Sequence, residues 1–74
     1  MTPAELQAIA AQLPANVLTT PAGAMRHLTA HGVARDPEAA LAFILKAGWW
    51  EERRQFGIRE VWRDGNPLWR AKKT

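Results

Sequence analysis

The sequence predicts an α+β fold, with a three-helix core followed by a small antiparallel β-sheet. Three observations carry that prediction. Thr2-Pro3, Thr20-Pro21 and Asp36-Pro37 each place a capping oxygen before a proline, which marks three helix starts. Gly32 and Gly48 stand where two of those helices should end. After Gly48 the apolar period changes from helical to alternating. A chain of 74 residues has room for one domain, 1–74, around one core.

The first helix is expected over about 3–13. Glu5 lies three residues after Thr2, which makes a capping box, and Leu6, Ile9, Ala10 and Leu13 share one face before Pro14 stops the helix. Asn16 to Thr19 reads as a brief strand or an extended linker. The second helix is expected over about 21–31, with Ala24, Met25 and Leu28 inward and Gly32 as a left-handed cap. By intrinsic propensity, Gly23 weakens its first turn by about 1 kcal/mol relative to alanine. The third helix, PEAALAFILKA over 37–47, is the most apolar. Ala40, Leu41, Ile44 and Leu45 form its stripe, Phe43 widens it and Gly48 caps it. Glu38 and Lys46 sit at the ends that the helix dipole favours for their charges.

Three short strands are expected next, over about 49–54, 58–63 and 67–72. Gln55-Phe56-Gly57 separates the first two, and Asp64-Gly65-Asn66 is a hairpin signal between the second and third. If Arg63 pairs with Pro67, Trp62 faces Leu68, Val61 faces Trp69 and Glu60 faces Arg70. In a regular strand Trp49 and Trp50 point to opposite faces, so one packs on the helices and the other stays partly exposed.

The net charge is +3, and all of it falls in the C-terminal third: residues 49–74 hold seven basic and four acidic side chains. The absence of cysteine excludes disulfides, thiolate metal sites and a cysteine nucleophile. Residues 1–15 lack the basic start and apolar run of a secretory signal. The longest apolar stretch, 39–50, is broken by Lys46 and too short to span a bilayer. These features predict a soluble, cytoplasmic protein.

The order of elements resembles the winged helix-turn-helix class over roughly residues 17–72. Ala42-Phe43-Ile44-Leu45-Lys46-Ala47-Gly48-Trp49-Trp50 resembles the end of a recognition helix entering the first wing strand, and EERRQFGIREVWRDGNPLWR resembles the wing sheet. The resemblance implies a small DNA-binding regulator of duplex DNA, with room for a homodimer. One departure matters. The family's third helix usually reads the major groove with polar and basic side chains, whereas here it offers only Lys46 and starts with Asp36 and Glu38. The wing and the second helix, through Arg26, His27 and His31, would then do more of the work.

The candidate contact residues follow. Arg53, Arg54, Arg59, Arg63, Arg70, Lys72 and Lys73 could neutralise phosphates, since a guanidinium fork pairs with two phosphate oxygens. Against this, interleaved carboxylates could tie them up in cross-strand ion pairs. Arg26, His27 and Trp50 complete the set, tryptophan being suited to stacking on bases or anchoring a protein interface, though for any single tryptophan closing the core is the favoured reading. His27 and His31 have metal-ligand spacing, but no third ligand accompanies them, and no metal or cofactor is expected. The chain has no serine, Glu51 and Glu52 diverge on a strand, and no phosphate-binding glycine loop exists, so no enzyme activity is expected. The competing expectation is a small phage or mobile-element protein that binds and inhibits a host protein, of the anti-CRISPR type.

Overall fold

The computed structural model describes residues 2–65. Its elements are α1 (Pro3–Ala10), α2 (Pro21–Ala30), α3 (Pro37–Ala47), β1 (Glu51–Gln55) and β2 (Ile58–Trp62). Three helices thus precede a two-stranded antiparallel sheet, the α+β arrangement expected.

Each helix starts on its expected cap. The Thr2 hydroxyl accepts from Glu5 N, the Thr20 hydroxyl from Gly23 N and the Asp36 carboxylate from Ala39 N, at 3.2, 3.0 and 3.0 Å. Thr2 N also donates to the Glu5 carboxylate at 3.3 Å, completing the capping box. α1 is shorter than its apolar pattern suggests. After Ala10 the chain tightens, Gln12 N donating to Ile9 O and Leu13 N to Ala10 O, and this turn still delivers Leu13 to the core. α3 closes on Gly48 at φ 82°, whose N–H and that of Trp49 both reach back to Ile44 O. Trp49 therefore still belongs to the helix closure. This is why β1 begins at Glu51 rather than at residue 49.

The core is built from Leu6, Ala10, Leu13, Ala24, Leu28, Val33, Leu41, Ile44, Trp50 and Val61. Ile9, Met25, Ala40 and Leu45 pack around it half-buried, while Phe43 is left 45% exposed. Trp50 is the centrepiece. It is fully buried, its indole N–H donates to Ala10 O at 2.9 Å, and its ring meets His27 edge-on at 5.8 Å. One side chain thus ties the end of α1 to α2 and to the start of the sheet.

β2 is edged on both sides. Opposite β1, Val61 exchanges both backbone hydrogen bonds with Thr19, at 2.8 and 2.7 Å, and Arg63 O accepts from Asn16 N at 2.7 Å. The linker between α1 and α2 therefore takes the hydrogen-bonding edge of β2 at Val61. The expected third strand, 67–72, with Leu68, Trp69 and Arg70, lies outside the described residues.

The same linker explains Gly23. A Cβ at that position would stand 2.3 Å from Thr19 Oγ1. The glycine lets α2 lie close against the residue that bonds β2.

Candidate nucleic-acid interface

The β1–β2 hairpin turns on two residues. Gln55 pairs with Ile58, and Phe56 and Gly57 between them have φ 54° and 77°. Two positive φ values are the signature of a type I′ turn, whose twist matches the strands it joins. Asparagine, aspartate and glycine suit its first position; a phenylalanine held there costs about 1–2 kcal/mol. Phe56 is also 92% exposed, and Ile58 beside it 61%. By sequence Phe56 stands only in the Gln55-Phe56-Gly57 spacer between two strands. The available signal was an aromatic residue directly before the turn glycine.

Strand register sorts the charges. Arg53 lies directly opposite Glu60 and pairs with it at 2.8 Å, while its guanidinium sits 5.9 Å from the Trp62 ring centre. Arg54 lies opposite Arg59, a like-charge pairing that destabilises on its own. Arg59 turns diagonally to Glu52 and forms an ion pair there. Arg54 has no ion-pair partner among the described residues. Exposed pairs of this kind contribute about 0–1 kcal/mol each, so they restrain the arginines only weakly. Along the hairpin the charges are graded. Glu51, Glu52 and Glu60 lie at or behind the Arg53 level, and the run 53–59 carries three arginines and no carboxylate. The tip half of the hairpin is therefore cationic, with an apolar apex.

The remaining sequence candidates fall elsewhere. Trp50 was expected to reach a partner, but it is fully buried and hydrogen-bonded and offers no surface. His27 is half-buried, its Nε2 donating to Ile9 O at 2.9 Å, and His31 Nδ1 donates to His27 O at 2.9 Å. One nitrogen of each ring is thereby committed to the backbone, and no group of three metal-ligating side chains occurs among the described residues. Arg63 is half-buried and donates through Nε to Leu13 O, fastening the end of β2 to the turn after α1. Arg26 is exposed on α2. Arg70, Lys72 and Lys73 lie outside the described residues. Residues 2–65 hold seven basic and seven acidic side chains, so the +3 excess resides in 66–74. Whatever electrostatic preference the described part has arises from placement, not from net charge.

The exposed stripe of α3 comprises Glu38, Ala39, Ala42, Phe43 and Lys46, with half-buried Trp49 against Phe43 at 5.7 Å. Lys46 is its one cation, and the Trp49 indole N–H is its other side-chain donor. Between α3, the start of α2 and β2 runs a groove of about 150 Å³ lined by Met25, Glu38, Leu41, Ala42, Leu45 and Arg59. That is smaller than the ~300–1,000 Å³ of small-molecule sites.

No family model, curated protein or solved structure matches this chain. Among the described residues, no helix is long and apolar enough to cross a membrane.

Proposed function

We propose that this domain binds duplex DNA through the tip half of its β-hairpin, with Arg53, Arg54 and Arg59 on the phosphate backbone. The observation that carries the reading is the charge gradient: three guanidinium groups and no carboxylate over residues 53–59. The hairpin rises about 3.3 Å per residue, so Arg53 stands about 10 Å behind the turn; Arg54 and Arg59 share one face of the hairpin and Arg53 takes the other, so the phosphates they reach lie on either side of it. The α3 stripe adds one cation and one indole N–H, so base-edge readout is weak. Affinity then comes from phosphate contacts and DNA shape more than from sequence.

Fluorescence anisotropy with a labelled duplex, from 50 to 200 mM salt, tests this. Each phosphate contact adds about −0.9 to the slope of log K against log salt, so three hairpin contacts give a slope of about −3 before the 66–74 cations are counted. Absence of binding at 50 mM salt overturns the reading. So does a slope unchanged by replacing Arg53, Arg54 and Arg59 with alanine.

A second reading has one specific observation in its favour. The pair Phe43 and Trp49, next to Ala39 and Ala42, forms an apolar stripe suited to a protein partner. A partner retained after nuclease treatment, and lost on Phe43→Asp, would favour that reading over DNA.

A further inference from the structure

We propose that Phe56 is a wedge: at the hairpin tip its ring enters the duplex, lodges between neighbouring base pairs and kinks the DNA. The inference rests on the DNA reading above and goes beyond phosphate contact. Phe56 occupies a left-handed turn position that asparagine or glycine would fill without strain, so the turn itself does not call for it. The ring is 92% exposed, so the core does not call for it either. A strained, solvent-exposed aromatic residue at the apex of a projecting hairpin is accounted for by a partner that takes the ring.

The surroundings select the partner. The residues within three positions of Phe56 include Arg53, Arg54 and Arg59 and no acid; Arg53 and Arg59 are held by Glu60 and Glu52 in exposed, weak pairs and Arg54 has no such pair among the described residues, so the complement is anionic. Gly57 beside it has nothing within 4 Å of where a Cβ would stand, so the apex is unobstructed. Ile58, 61% exposed, extends the apolar surface by one residue. An apolar side chain flanked by arginines is the combination with which minor-groove proteins part a base step, the arginines holding the phosphates on either side of the opened step. Flexible pyrimidine–purine steps resist such parting least, so a preference for TA or CA steps would follow without any base-edge hydrogen bond.

The test uses the full chain and a short duplex labelled at both ends. Anisotropy reads affinity, and energy transfer between the ends reads bending. The wild type should raise energy transfer at saturation. Phe56→Asn converts the turn to Asn-Gly and keeps the fold; it should bind about tenfold more weakly and leave the duplex straight. Phe56→Trp should restore the bend. If Phe56→Asn bends DNA as the wild type does, or the wild type binds without bending it, the wedge is overturned while backbone binding by the arginines stands. Equal or tighter binding to single-stranded DNA of the same sequence would also overturn it, assigning the ring to simple base stacking. No binding to any DNA would overturn both the wedge and the DNA reading.

Discussion

Replacing Gly23 with alanine separates two physical effects of opposite sign. Helix propensity alone predicts a gain of up to about 1 kcal/mol for this change inside α2. The local geometry predicts a loss. The new Cβ would stand 2.3 Å from Thr19 Oγ1 and 3.4 Å from Thr20 Oγ1. The Thr19 backbone is held, its N–H and C=O both bonding Val61 at 2.8 and 2.7 Å, so relief has to come from forcing its hydroxyl into another χ1 rotamer, which is restricted for a β-branched residue. Nor can the first turn of α2 shift without disturbing the Thr20 cap on Gly23 N. Overpacking of this severity costs about 1–3 kcal/mol, which leaves a net loss of about 1 kcal/mol after the propensity gain. For a domain of this size that lowers the melting temperature by about 4–8 °C, readable by circular dichroism. In a Thr19→Ala background the obstructing oxygen is gone, and Gly23→Ala should then stabilise. The non-additivity of the pair reports their contact. A melting temperature that rises on Gly23→Ala in the wild-type background would refute the reasoning.

Two further changes probe the core and the hairpin. Trp50→Phe removes the indole hydrogen bond to Ala10 O and leaves a cavity, costing about 2 kcal/mol, measurable as a fall in the midpoint of urea unfolding with an unchanged slope. Unchanged stability would mean that Trp50 is not the packing centre that its burial indicates. Glu52→Gln together with Glu60→Gln releases Arg59 and Arg53 from their ion pairs. DNA affinity at 50 mM salt should rise severalfold, with a stability change within about 1 kcal/mol, and weaker binding would contradict the hairpin's proposed role.

What the sequence revealed and what it hid divide along a physical line. The caps at Thr2, Thr20 and Asp36, and the glycine closures, are contacts between residues a few positions apart, so their chemistry is complete within a short window. Helix α3 falls on the range its pattern predicts for the same reason. Gly23 was misread because a propensity scale contains nothing about Thr19 approaching from another segment. The Asp64 turn signal favours the strand nearest in sequence as a neighbour of β2. The partner found at Val61 is Thr19, more than forty positions away, which a local signal cannot reveal. Trp49 and Trp50 were treated as strand residues, but the Gly48 closure holds Trp49 to α3 and sends Trp50 inward. The wing arginines were found by composition, whereas their sorting into paired and unpaired groups needed the register of β1 on β2. Phe56 was in plain view in the sequence, yet its weight comes from a backbone angle and an exposure that only the fold supplies.

In the proposed reading placement, not net charge, makes the hairpin tip the DNA-binding surface. Two triple variants with equal charge loss test it most directly. One replaces Arg53, Arg54 and Arg59 with alanine; the other replaces Arg26, Arg35 and Lys46, all exposed and outside the hairpin. Measured on one duplex at 100 mM salt, the tip variant should lose about tenfold or more in affinity and the control about threefold or less. Equal losses from the two variants would contradict the account and reduce the binding to bulk electrostatics.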